Sequence, residues 1–274
     1  MTPKFLLCNP SFYGIQYNIN FWMPSNIGKV NYDLAYEQWT NLYITLNNIS
    51  KELYGYYSIV DIFPQSGLPD MVFTANAGLV LDKTIVLSNF RCPERQPEKE
   101  IFKQWFKNKG YSILELPSSI FFEGEGDALF DSHNRLWVGH GFRSDEVAAY
   151  FLSDLHSGVH TLKLIDPRFY HLDTCFAPLS KGHVMYYPPA FDKISLNKIE
   201  VEFGYYTNRL IPVTEEDALN FSCNAINVGD YIVVNNISTI LKEHLEYFGY
   251  TVIVISVSEF LKAGGGTACL KLKI

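Results

Sequence analysis

The chain has 274 residues, 47% of them hydrophobic and 19% charged, with 22 Lys+Arg against 29 Asp+Glu and a net charge of −7. That composition is globular rather than disordered, and the acidic balance argues against a nucleic-acid or anionic-membrane partner. No apolar run approaches the roughly 20 residues that cross a bilayer.

Five cysteines (Cys8, Cys92, Cys175, Cys223 and Cys269) are odd in number and form no CxxC, so neither a zinc knot nor a disulfide framework is expected. Free thiols point to a reducing, cytoplasmic setting. The opening MTPKFLLCNPSFYG breaks at Asn9-Pro10 and reads as no signal peptide.

In chain order, DLAYEQWTNLYITL from Asp33 predicts a helix, and IVDIF from Ile59 a strand. Four longer stretches each hold two β-rich runs around a turn. They are MVFTANAGLVLDKTIVLSNF from Met71, IFFEGEGDALFDSHNRLWVGH from Ile120, YHLDTCFAPLSKGHVMYYP from Tyr170 and ALNFSCNAINVGDYIVVNN from Ala218. PEKEIFKQWFKNKGY spaces Ile101, Trp105 and Phe106 as on one helix face and stops at Gly110, before the strand SILEL from Ser112. ISTILKEHLEYFGY does the same with Ile240, Leu241, His244, Leu245 and Phe248, stopping at Gly249 before VIVISV.

The unit is strand–strand–helix–strand, with a period of about 50 residues that suggests a radial, closed array rather than two domains. The last unit, AGGGTACLKLKI from Ala263, stops after its first strand. The helix and strand near the N-terminus supply what it lacks, so residues 1–274 read as a single domain closed by its two ends.

Equivalent positions recur in phase: 47 residues separate Asn76 from Glu123, 48 separate Glu123 from His171, and 98 separate His171 from Cys269. In a closed array an amide, a carboxylate, an imidazole and a thiol would converge. Each also has a plainer reading. Cys269 is either a nucleophile, given help to form its thiolate, or a buried structural cysteine.

If FYHLDTCF is extended, His171 and Asp173 share a face, suited to general acid–base work and cation binding, or are two solvated groups on a half-exposed strand. Cys175, on the same parity, reads as a hydrophobic filler. FFEGEGDAL brings Glu123, Glu125 and Asp127 together around glycines that mark an irregular turn, so one carboxylate faces the site and the others serve backbone or solvent. Asn76 reads as a turn residue or a ligand. Arg95 and Arg143, after strands of consecutive units, are surface arginines or a pair that captures a carboxylate bidentately.

PDMVFTANAG, FEGEGDAL, FYHLDTCF and AGGGTACL, in this order and spacing, resemble the guanidine-modifying enzymes of the pentein superfamily, and within it the bacterial arginine dihydrolases. The resemblance implies a five-bladed αβ propeller, with a pseudo-fivefold arrangement of strand–strand–helix–strand repeats, and hydrolysis of arginine to ornithine, carbon dioxide and ammonia.

Carried over by position, Cys269 matches the nucleophile, His171 the general acid–base, and Glu123 the carboxylate that steadies both histidine and guanidinium, with Glu125 its rival in register. Asp173 matches a guanidinium-binding aspartate, Arg95 and Arg143 carboxylate-binding arginines, and Asn20 a substrate-contacting asparagine. Asn76 stands where deiminases and dimethylarginine hydrolases carry aspartate.

The implied substrate is free L-arginine, with no metal or organic cofactor. Alternatives are a deiminase or dimethylarginine hydrolase stopping at citrulline, an amidinotransferase, and a non-catalytic binding pentein.

Overall fold

The structure, a computed structural model, describes residues 4–204 and 208–274. Their strands form five sheets of three strands each. Every sheet follows one rule: the first strand pairs antiparallel with the second, and the second, in the middle, pairs parallel with the third. A parallel pair needs a crossover longer than a hairpin turn, and the helix of each unit provides it. By compactness the chain divides into two units, Met1–Glu125 with Val257–Ile274, and Gly126–Ser256.

The first unit holds two sheets. One joins Gly78–Leu81, Thr84–Leu87 and Ser112–Glu115, with the hairpin closed at Asp82, whose φ is 54°, and with helix Glu98–Asn108 as the crossover. The other takes its first strand, Leu272–Lys273, from the end of the sequence, and its second and third, Phe5–Cys8 and Ile59–Ile62, from the start. Helix Tyr32–Tyr54 crosses between the last two. Asn31 caps it by accepting the Leu34 N–H at 3.1 Å, and Gly55, at φ 80°, closes it. Its buried stripe of Ala35, Trp39, Leu42, Leu46 and Ile49 runs at spacings of three and four.

One sheet thus contains strands from both ends of the sequence. The strand Phe5–Cys8 was not apparent from the sequence: four consecutive buried residues show no alternation of burial.

The second unit holds three sheets. Their first and second strands are Ala128–Phe130 with Leu136–His140, Phe176–Pro178 with Val184–Tyr186, and Ile226–Val228 with Tyr231–Val234. The third strands are Val159–Lys163, Leu210–Pro212 and Thr251–Val254. Helices Lys193–Phe203 and Thr239–Tyr247 cross the latter two sheets. Trp137 stacks on Phe203 with ring centroids 5.3 Å apart, within a core that includes Phe176, Val184 and Ile211.

Three stretches differ from the sequence reading. The strand expected from Met71 begins only at Gly78, after the short 3-10 turns Pro69–Val72 and Thr74–Ala77. The expected tail strand shrinks to Leu272–Lys273, because Ala268–Leu270 is a 3-10 turn. FYHLDTCF is not extended throughout: His171 has strand dihedrals, but Leu172–Thr174 turn, so alternation does not place Asp173.

The three differences have one cause. First strands are entered through tight turns, and three of those turns hold or adjoin the candidate residues Asn76, His171 and Cys269.

Candidate active site

In the first unit two such turns pack on one another, and Gly124, which begins a third, meets the first of them. Thr74–Ala77 holds Asn76, and it packs against Ala268–Leu270, which holds Cys269. The hydroxyl of Thr74 shares its one proton between the carbonyls of Leu6, at 2.8 Å, and Leu270, at 3.1 Å, tying the turn to both ends of the sequence. Ile274 N–H donates to Lys4 C=O at 2.8 Å.

The middle glycine of the run is explained by space. A Cβ on Gly265 would lie 2.3 Å from the Phe73 ring, so the chain before Cys269 passes flat against that aromatic. Cys269 is buried, at 4% exposure.

The third turn, Gly124–Gly126, follows Glu123. Gly124 has φ 64°, and a Cβ there would stand 2.7 Å from Gly78 N and 2.8 Å from Ala75 O, both rigid backbone atoms. This approach lets the Glu123 carbonyl accept the Asn76 Nδ2–H at 3.1 Å. The buried Glu123 carboxylate accepts the Arg91 main-chain N–H at 3.2 Å.

Glu125, its rival, turns to the tail instead. It pairs with Lys271 and accepts the Lys273 N–H at 2.7 Å. Asn20 is also an organiser: its Nδ2–H donates to Ala263 C=O at 2.9 Å, and its Oδ1 accepts N–H groups from Trp22 and Met23.

Arg95 is 3% exposed and heavily engaged. Its Nε and Nη2 donate to the two oxygens of Glu98, at 2.9 and 2.8 Å, and its Nη1 donates to Asn76 Oδ1 at 2.8 Å. The tyrosine hydroxyl of Tyr17 donates to Asp70 Oδ2 at 2.9 Å, and a further Arg95 N–H reaches the Asp70 carbonyl at 3.1 Å. Beside these carboxylates the Arg95 guanidinium is held well above its ordinary pKa, whereas burial pushes the Glu98 carboxyl up to about 7 against the pull of Arg95. Glu98 escaped the sequence reading. The only signal was an Arg-x-x-Glu spacing, which at a helix start reads as an ordinary first-turn acid.

In the second unit His171, Asp173 and Arg143 are all buried. The His171 turn hangs on Asp127: Oδ1 accepts the Leu172 N–H at 3.0 Å and Oδ2 the Ser144 hydroxyl at 2.6 Å. Asp127 is thus an acidic-loop carboxylate that serves backbone. Thr174 donates back to His171 C=O at 2.6 Å, and Asn224 donates to Asp173 C=O at 3.1 Å.

Arg143 lies over the Tyr170 ring at 4.7 Å, and the same ring stands 4.7 Å from that of His171. Burial raises the pKa of Cys175 and Cys223, consistent with fillers, and pushes Cys8 up to about 12.

Among the described residues no group of His, Cys, Asp and Glu is placed to hold a metal ion, and no helix is long and apolar enough to cross a membrane.

Five sheets of one topology, with Asn, Glu and Cys turns meeting in the first unit, define a protein of the guanidine-modifying pentein class. Residues 53–274 match the family described as N,N dimethylarginine dimethylhydrolase, eukaryotic, and the chain belongs to this family. It is 34% identical to the N(G),N(G)-dimethylarginine dimethylaminohydrolase of Mycobacterium tuberculosis, over 100% of this chain and 86% of that one.

It is 48% identical, over 99% of its length, to the bifunctional arginine dihydrolase/ornithine cyclodeaminase ArgZ of Synechocystis sp., of which it spans 37%. A crystal structure of the N-terminal domain of that cyanobacterial arginine dihydrolase, a cysteine-to-serine variant bound to substrate, superposes with a TM-score of 0.94. It is 46% identical, covering 99% of this chain and 97% of that one.

Proposed function

We propose that this chain hydrolyses free L-arginine to ornithine, carbon dioxide and two molecules of ammonia, consuming two waters. One observation carries the reading: its likeness to the substrate-bound N-terminal domain of an arginine dihydrolase extends over nearly the whole of both chains.

Cys269 attacks the guanidinium carbon, and His171 protonates the departing ammonia. His171 then takes a proton from water, which displaces the thiolate from the thiouronium adduct and leaves citrulline. A second round on the ureido group releases the second ammonia, and the carbamate formed breaks down to ornithine and carbon dioxide.

Asp173 and Glu123 hold the cation, while Arg143, Asn20 and the remaining N–H of Arg95 contact the amino-acid end. Asn76 is what permits the second round. A carboxylate there would select a cationic guanidinium, whereas an amide offers a donor and an acceptor that also suit an uncharged ureido group. No metal or organic cofactor takes part, residues 1–274 act as one catalytic domain, and the setting is cytoplasmic.

The family match favours a second reading, hydrolysis of dimethylarginine that ends at citrulline. Parallel assays with arginine and asymmetric dimethylarginine separate the two. The first reading predicts arginine consumption with ornithine formed, and dimethylamine release with little arginine turnover would replace it with the second.

A further inference from the structure

Glu98 opens helix Glu98–Asn108 with its side chain wholly buried. A first-turn acid ordinarily stays in water, where it meets the helix dipole without desolvation. Glu98 instead turns back to Arg95, and its two oxygens accept parallel N–H groups from the Nε/Nη2 edge. Arg95 then spends a second Nη2–H on the Asp70 carbonyl and an Nη1–H on Asn76 Oδ1. Four of the five guanidinium donors are thereby used. The edge that would grip a substrate carboxylate bidentately is filled from inside the protein, and the Phe90 ring, 4.7 Å away, faces the guanidinium carbon.

A side-chain amide can face either way, and its partners decide. A guanidinium has donors and no acceptor, so the Asn76 atom facing Nη1 is the oxygen. The nitrogen then faces the Glu123 carbonyl, which accepts from it.

We infer that Glu98 is a positioning residue for Asn76: its two bonds to Arg95 fix the guanidinium, and the guanidinium fixes the orientation of the Asn76 amide. One Nδ2–H and one Oδ1 lone pair remain for a ligand, side by side and in a set order. That order is what a ureido group needs, so Glu98 governs the second hydrolysis without touching substrate. The inference rests on the role proposed above for Asn76.

A double-mutant cycle tests it. Glu98→Gln keeps the shape but replaces one acceptor oxygen with a donor that opposes Arg95. With intact Asn76, Glu98→Gln should lower the rate of ornithine formation from citrulline by about tenfold or more, mainly in kcat. In the Asn76→Ala background the same change should cost under about threefold, because the group it positions is gone. Equal losses in both backgrounds would overturn the inference, since a merely structural role adds independently.

Circular dichroism and thermal midpoints check each variant. If Glu98→Gln fails to fold, Arg95→Lys, which keeps the charge and loses the fork, completes the cycle with the same two outcomes. If the unmodified enzyme leaves arginine and citrulline untouched, the functional reading has failed instead. The cycle is then run on dimethylarginine, where coupling between Glu98 and Asn76 still supports the positioning role and additivity still refutes it.

Discussion

The side-chain amide of Asn76 donates to the main-chain carbonyl of Glu123 at 3.1 Å, and its oxygen accepts from Arg95 at 2.8 Å. A neutral group is thus held between a carbonyl and a cation, in a setting where a carboxylate would pair with Arg95 and face the Glu123 carbonyl with no donor.

Asn76→Asp should therefore change what the enzyme makes more than whether it folds. The added charge favours the guanidinium of arginine, through charge-assisted bonds stronger than neutral ones, and removes the donor a ureido group needs. Citrulline should accumulate from arginine, with the ornithine yield reduced at least about tenfold, equivalent to ~1.4 kcal/mol. Chromatographic quantification of both amino acids measures it, and an unchanged ornithine yield refutes the role of Asn76.

Cys269→Ser should abolish turnover, by about a thousandfold or more, because losing a nucleophile leaves only binding and electrostatic effects. Arginine binding, measured by titration calorimetry, should persist. Cys175→Ala and Cys223→Ala alter buried fillers, so they should lower the thermal midpoint rather than remove the chemistry. Unimpaired turnover in Cys269→Ser would rule Cys269 out as the nucleophile.

Two glycines at positive φ give a controlled comparison. At Gly158, φ 77°, a Cβ would meet nothing nearer than 3.9 Å, so Gly158→Ala should cost only the left-handed penalty of about 1–2 kcal/mol. Gly124→Ala adds a collision with backbone at 2.7 Å, and should cost about 2 kcal/mol more. Denaturant midpoints of the two variants check the difference, and equal costs would show that the Gly124 turn yields easily.

Glu98 makes stability depend on pH in the direction opposite to an ordinary ion-paired carboxylate. Its folded pKa of about 7 lies above the ordinary 4.5, so across that window the folded state binds more protons than the unfolded one. Its contribution is therefore present below pH 4.5 and is lost as pH rises through 7. Glu98→Gln, which cannot ionise, should flatten the decline in unfolding free energy between pH 5 and 7.5. A slope identical to that of the parent would mean that Glu98 titrates elsewhere.

The fold was legible in the sequence where periodicity was strong. Ile101 and Trp105, four residues apart, with Phe106 before Gly110, and the recurring hairpin turns, sufficed for the strand–strand–helix–strand units. Legibility failed where tertiary burial overrode local pattern. Phe5–Cys8 is buried on both faces and shows no alternation. Lys193–Phe203, rich in β-branched residues, declares itself only through its Asp192 cap.

At the candidate site the residue types and their phase were readable, but the local geometry was not. Asn76, His171, Asp173 and Cys269 lie on or beside 3-10 turns that three-residue hydrogen bonding makes invisible to a period-two or period-3.6 reading. Glu98 was missed for a different reason: nothing in the spacing of Arg95 and Glu98 tells a buried fork from a surface ion pair.

The nitrogen balance of a single reaction tests the double hydrolysis most directly. With arginine as sole substrate, ammonia, citrulline and ornithine should be followed together until the arginine is exhausted. The predicted result is two ammonia and one ornithine for each arginine, with citrulline at most transient. One ammonia for each arginine, with citrulline as the stable product, would contradict it.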